Sequence, residues 1–299
     1  MAIINLQLEI FILLVIGFSL YKLGYLSINS QKQITDIILY IILPANIIVS
    51  FNMEMNTEIL KQSATILIIA FSIQIVYLIL NRFMYLGFDH SKAIIMKYGT
   101  ICTNATFMGL PIIQSVFGAS GLLYATVALI PMRVFMWTSG LSLFTKTSKK
   151  KALLTMITHP AILAVVLGFI LMSFQLKLPI FINSTLIALS NCMTALSMIL
   201  IGSILGQVNF KHLVDKSILY YTFLRLIMLP AFIYLILYLL KVNPIIIGVT
   251  VLMAAMPAGL TTAMLAQKYN QDALYASKLI FISTLLSLFT LPLLIYALG

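Results

Sequence analysis

The sequence predicts an all-α integral membrane protein: ten transmembrane helices in two inverted five-helix repeats, with the fourth and ninth helices broken and crossing. Three observations lead there. The chain has 299 residues, 62% of them hydrophobic and 8% charged, and a mean hydropathy of +1.11; a soluble domain carries about 25% charged residues. Its apolar residues come in runs of about 20, the length a helix needs to cross a hydrocarbon core. They do not alternate over segments of ~10 residues, as a transmembrane barrel requires. Finally, Pro111 and Pro257 interrupt two of these runs almost half a chain apart.

Spans are expected at about 6–23, 33–52, 61–81, 94–117, 120–143, 153–174, 180–203, 217–240, 244–267 and 273–298. The first has Glu9 as its only charge before Lys22, no basic leading region and no small-residue cleavage site. It therefore reads as a retained span and not as a cleavable signal. The second holds Pro44 and Asn46, the fourth the run Thr103-Asn104-Ala105-Thr106-Phe107-Met108-Gly109-Leu110-Pro111, and the fifth Arg133. A basic loop, Lys146-Thr147-Ser148-Lys149-Lys150-Lys151, then separates two halves, residues 1–148 and 149–299. His159 lies near the start of the sixth span, Asn191 and Cys192 lie in the seventh, and Arg225 and Pro230 in the eighth. The ninth carries Ala254-Ala255-Met256-Pro257-Ala258-Gly259-Leu260-Thr261-Thr262, and the tenth follows it.

Charge sets the orientation. Thirteen lysines and arginines, from Lys22 to Lys278, fall in loops on one side; Lys61, Lys177 and Lys241 fall on the other, beside Glu54 and Glu58. Positive loops stay cytoplasmic, so both termini are expected outside, in a multi-pass chain of the cytoplasmic membrane. The same distribution explains the net charge of +11 and argues against nucleic acid as a partner, because the basic residues sit in short loops between spans. With five spans in each half, the second half starts in the opposite orientation to the first. Cys102 and Cys192 both lie in apolar runs and define neither a disulfide framework nor a metal cluster. No cofactor is expected.

Proline deletes a backbone N–H and strains the preceding turn, and lipid supplies no water to the freed carbonyl. One such proline reads as a kink. A matched pair with polar neighbours, at equivalent places in two halves, reads as a transporter's binding site. Each second half-helix would begin near the midplane with unpaired N–H groups and a partial positive charge. Two such ends meeting attract an anion without any charged side chain. Thr103, Asn104 and Thr106 surround the first break, Thr261 and Thr262 the second.

Two arginines lie inside spans, each costing about 2.5–3.5 kcal/mol to insert at a helix centre. Arg133 reads either as a contact for an anionic substrate or as a structural residue; Arg225, nearer the cytoplasmic end, reads as snorkelling or structurally paired. Only Glu9 and Asp36 bring carboxylates to the spans. A carboxylate-built sodium site is therefore not visible, although Asn, Thr and backbone carbonyls can also bind sodium. Proton coupling has those two residues and His159 to use, and His159 also reads as merely interfacial. Asn46 and Asn191 either line the cavity or tie helices together, the second reading being preferred for Asn191.

Two segments carry a resemblance: Asn104–Gly118 (N-A-T-F-M-G-L-P-I-I-Q-S-V-F-G) and Ala254–Asn270 (A-A-M-P-A-G-L-T-T-A-M-L-A-Q-K-Y-N), supported by Thr222–Pro230 and Ser277–Pro292. In this order and spacing, and over nearly its whole length, the chain resembles the auxin efflux carriers, a family that includes bacterial permeases and the plant PIN carriers. The resemblance implies a fold like that of the bile acid–sodium symporters. Spans 1, 2, 6 and 7 would form a scaffold, and spans 3–5 and 8–10 a mobile transport domain. Substrate would bind beside the crossing of spans 4 and 9, and two chains would pair as a homodimer through the scaffold. It further implies that Asn104 meets the substrate carboxylate and that Pro111 and Pro257 are the crossing prolines. The chain departs from the plant carriers at His159-Pro160-Ala161, where they have Asn-Pro-Asn, at Arg133, where they have glutamine, and at Asn191, where they have aspartate. Their long cytoplasmic loop is here a short basic segment. An added arginine suits a small organic anion, such as a dicarboxylate, better than auxin.

The leading expectation is thus a secondary transporter moving a small organic anion through the bilayer by alternating access. The alternative is a passive uniporter or channel, which the scarcity of coupling carboxylates favours. A membrane enzyme would need a constellation such as H-E-x-x-H, paired intramembrane aspartates or a Ser–His pair, and none is evident. No soluble signalling domain is attached, which argues against a sensor.

Overall fold

The computed structural model describes residues 2–52, 57–144, 160–207 and 215–298. Glu54, the Lys146–Lys151 loop, His159 and Lys211 lie outside the described residues. Eleven helices run through the described segments: α1 (Ala2–Lys22), α2 (Ile28–Ser50), α3 (Thr57–Leu80), α4 (His90–Ile101), α5 (Ala105–Leu143), α6 (Pro160–Ser173), α7 (Ile180–Leu205), α8 (Lys216–Leu239), α9 (Pro244–Ala254), α10 (Thr261–Lys268) and α11 (Ala273–Leu298). Six of them, α2, α3, α5, α7, α8 and α11, are long and apolar enough to cross a membrane. No strand forms among the described residues beyond one isolated bridge.

Four helices contain Leu-Pro. In α11, Leu291-Pro292 sits in an uninterrupted α-helix, whereas the other three respond in one way. Leu43-Pro44, Leu110-Pro111 and Leu229-Pro230 are each preceded by one π-helical turn, at Ile38–Ile42, Ala105–Gly109 and Leu224–Met228. The proline ring has no N–H to give and collides with the carbonyl four residues back. The wider turn shifts the ladder: the N–H groups of Leu43, Leu110 and Leu229 reach back five residues, to the carbonyls of Ile38, Ala105 and Leu224. These three prolines therefore leave their helices continuous.

Within α5, Gly118 is the non-helical residue (φ 65°, ψ −155°). At about 1.5 Å per residue, an unbent helix would put Arg133 some 40 Å from Asn104. Yet both line one cavity, so α5 doubles back at Gly118, between the fourth and fifth expected spans. The positive φ is why glycine stands at that turn.

The helices pack where small residues allow it. Along the α1–α7 contact, a Cβ on Gly17 would stand 2.0 Å from the Ile199 carbonyl oxygen, and one on Gly202 would stand 2.0 Å from that of Leu14. Lipid is as apolar as leucine, so backbone approach of this kind, not exclusion from water, holds such helices together. Elsewhere α2 packs on α6 and α7, α3 on α5, α5 and α8 on α9, and α10 on α11. Asn46 is fully buried at the α2–α7–α5 junction, where Nδ2 donates to Ser190 Oγ (2.8 Å) and Gln114 Oε1 (3.3 Å). Asn191 is exposed on α7.

Outside the apolar bundle, Asp215 caps α8. Its Oδ1 accepts from the Ser217 N–H and Oγ, both at 2.8 Å, and Lys92 Nζ donates to Oδ2 at 2.7 Å. Those bonds, the one from Lys92 foremost, hold its carboxyl down from 3.8 to about 2. A folded-state value below the unfolded one means that the contribution is complete above about pH 3.8 and is lost as the pH falls toward about 2. With 36% of the side chain exposed, solvent screening keeps the effect within about 1 kcal/mol. Across that acid range, the melting temperature should fall more steeply for the wild type than for Asp215→Asn, as read by thermal denaturation in detergent.

Candidate functional site

Two interruptions meet inside the bundle. The first separates α4 from α5 at Cys102, Thr103 and Asn104; the second separates α9 from α10 between Ala255 and Leu260. They pair as a short antiparallel bridge between Thr103 and Ala258. Asn104 N donates to Pro257 O (2.8 Å) and Gly259 N to Cys102 O (3.0 Å), while Ala258 N donates to Ser283 Oγ of α11 (3.3 Å). Each break thus supplies backbone partners to the other, which an apolar interior demands of any non-helical segment. Gly259 permits the approach: a Cβ there would meet Cys102 O at 3.0 Å and Thr103 O at 3.1 Å.

The two prolines play unequal parts. Pro257 lies within the second break and offers its carbonyl to Asn104. Pro111 lies beyond the π-turn, inside a continuous helix, so the first chain opens at Cys102–Asn104, upstream of its proline. The π-turn absorbs the missing N–H locally, which is why the break is displaced.

A cavity of about 120 Å³ opens beside the junction. Thr103, Asn104 and Thr106 line it from the first break, Gly259, Leu260 and Thr261 from the second, and Met132, Arg133 and Met136 from the returning limb of α5. Leu39 of α2 and Ile162 of α6 complete the wall, together with Cys102 and Phe107. Pro111, Pro257, Thr262 and Asn46 are not on it. Thr261 and Thr262 are neighbours on a helix, about 100° apart, so the first turns its face to the cavity and the second is fully buried.

Asn104 is 2% exposed, and neither Oδ1 nor Nδ2 has a partner within the protein. It occupies the N-cap position of α5, where asparagine ordinarily accepts an N–H from the first turn, but its side chain makes no cap. Beside it, Thr261 Oγ1 accepts from Tyr98 Oη (3.3 Å) and lies 3.2 Å from Cys102 Sγ; Thr103 Oγ1 donates to Met132 Sδ at 3.6 Å. The N-termini of α5 and α10 bring partial positive charge to the same place, and Arg133 adds a full one. The cavity therefore presents donors and positive potential, and its lining contains no carboxylate. Glu9 and Asp36 are both exposed.

Arg225 has a role that its place in the sequence does not reveal. It is 1% exposed, so it does not snorkel; its Nε donates to Met256 O (3.2 Å) and its Nη1 to Thr100 O (3.3 Å). One guanidinium thus gathers carbonyls from the ends of both interrupted helices. The Tyr77 ring lies under it at 5.2 Å. Cys102 and the two methionines of the cavity were also unforeseen; only the position of Cys102 next to Thr103 offered a signal.

Interrupted helices that meet inside an apolar helical bundle, beside a donor-lined cavity, define a membrane transport protein. The chain belongs to the membrane transport protein family, that of the auxin efflux carriers: the family model matches residues 2–153 and 144–295. It is 27% identical to an uncharacterized transporter of Methanothermobacter thermautotrophicus, over 96% of this chain and 95% of the relative. To an uncharacterized transporter of Methanocaldococcus jannaschii it is 25% identical, over 96% of each. It is a multi-pass membrane protein.

Proposed function

We propose that the protein is a secondary carrier that moves a small organic anion across the cell membrane by alternating access. The observation that carries this reading is the Asn104 amide, buried at the meeting of two broken helices with both polar atoms unengaged by the protein. A carboxylate is the complement of that surface: its oxygens accept from Asn104 Nδ2, the Thr261 hydroxyl and the Arg133 guanidinium, the last in a planar, two-pronged fashion. The size of the cavity favours a short chain. At about 120 Å³ it lies well below the 300–1,000 Å³ typical of sites for drug-sized ligands, so a short mono- or dicarboxylate suits it better than an indole acid.

The proposal includes ten membrane passages in two inverted halves, with both termini outside and spans 4 and 9 crossing. Two family matches of equal length, residues 2–153 and 144–295, support a duplicated plan. Under it, the group α1, α2, α6 and α7 is the scaffold, and the remaining helices rock against it. Leu39 and Ile162, from the scaffold group, face Asn104 and Thr261 across the cavity, which is where an alternating gate must lie.

Proteoliposomes test this. Labelled short carboxylates should show saturable exchange that is stimulated by unlabelled substrate on the opposite side, and Arg133→Gln should lower it about tenfold or more, the equivalent of at least one charge-assisted bond. Unitary currents in planar bilayers would replace the carrier by a pore, and unchanged exchange in Arg133→Gln would take the guanidinium out of the site.

A further inference from the structure

Across the Thr103–Met132 contact lies a second cavity of about 40 Å³, and both residues line it as well as the first. Besides Thr103, four polar side chains stand on its wall: Gln74 and Tyr77 of α3, Arg225 of α8 and Thr250 of α9. All four are at least nine-tenths buried. Each carries an atom with no partner within the protein: Gln74 Oε1, Tyr77 Oη, Thr250 Oγ1 and Arg225 Nη2. Buried polar atoms are satisfied in folded proteins by protein, water or an ion, so this wall requires an occupant.

The chemistry of the wall narrows the choice. Arg225 is held on two sides, by Met256 O and Thr100 O, with the Tyr77 ring beneath it, so the guanidinium cannot turn its third nitrogen elsewhere. Arg225 Nη2 and the two hydroxyls are three donors, one of them cationic. Apart from these groups and Thr103, the lining is apolar, from Ala70 and Ile73 to Ala128 and Met253, and includes no carboxylate. Gln74 adds an acceptor, but its Nε2 bond to Ile101 O is long at 3.4 Å, and the amide can give it up to turn its NH₂ inward. At about 10–15 Å³ per water-sized particle, the chamber of about 40 Å³ holds about three or four such particles. That is too little for a dicarboxylate and suits a monatomic anion with one or two waters.

We propose that this second chamber is a halide site, separate from the cavity at Asn104. It does not rest on the transport reading and is tested without a transport assay. The full-length protein is melted in detergent in rising sodium chloride or bromide against sodium gluconate at equal ionic strength. A saturable rise of about 2–4 °C is expected with the halides alone. Tyr77→Phe and Thr250→Val each delete one hydroxyl while keeping the side chain's shape, and each should abolish the rise. The same rise in gluconate, no rise in halide, or a halide effect unchanged in both variants would overturn the proposal. Should the variants fold poorly, the chloride NMR linewidth of the wild type decides: broadening that bromide reverses supports the site, and no broadening removes it.

Discussion

An Arg225→Met variant is expected to lose about 3–6 kcal/mol of stability, to melt early in detergent and to accumulate poorly in the membrane. The figure follows from two bonds donated by a charged group, to Met256 O at 3.2 Å and Thr100 O at 3.3 Å, at about 1.5–3 kcal/mol each. Buried ion pairs can often be replaced by apolar residues at no loss, because both partners disappear together. Here the partners are backbone carbonyls at the ends of α4 and α9, and no substitution removes them. They would be left where the surrounding bundle is apolar. Against a total stability of about 5–15 kcal/mol, such a loss removes much of the margin. Arg225→Lys should fall between the two, since a compact ammonium cannot span both carbonyls as a planar fork does. Melting of Arg225→Met at the wild-type temperature would show that the junction stands without the guanidinium.

How far the junction could be read from the chain depends on what kind of partner each residue has. The two breaks were visible because proline and its polar neighbours are rare inside apolar runs, and Gly118 fell between two expected spans. The displacement of the first break away from Pro111 was not visible. It depends on the π-turn at Ala105–Gly109, which a Leu-Pro pair does not by itself dictate, since Leu291-Pro292 of α11 has none. Arg225 was legible as a costly residue but not as a tie between two helix ends, because its partners are carbonyls 31 and 125 residues away. Any residue type could have supplied those carbonyls. Helix phase set a similar limit at Thr261 and Thr262, where only coordinates tell which hydroxyl meets the cavity. Asn46 had two open readings. Its bonds to Ser190 and Gln114 make it a tie between α2, α7 and α5.

Asn104→Ala should separate binding from folding more cleanly than any other substitution at the site. The wild-type amide makes no hydrogen bond within the protein although it is 2% exposed, and it leaves the start of α5 uncapped. Removing a buried polar group that has no partner forfeits no bond and relieves a desolvation cost. The ligand-free variant is therefore expected to melt at or above the wild-type temperature. Ligand binding should move the other way. A bond from this amide to a carboxylate contributes about 1.5–3 kcal/mol, so its loss weakens affinity about 10- to 100-fold. Asn104→Asp should match or exceed that loss at nearly constant volume, because a carboxylate in the cavity repels the anion that the amide would hold. Thermal-shift titration with a panel of short organic acids reads both quantities in one experiment. Stabilisation by an acid that survives Asn104→Ala would remove this residue from the site. A destabilised variant that still responds fully to ligand would make it a structural residue instead.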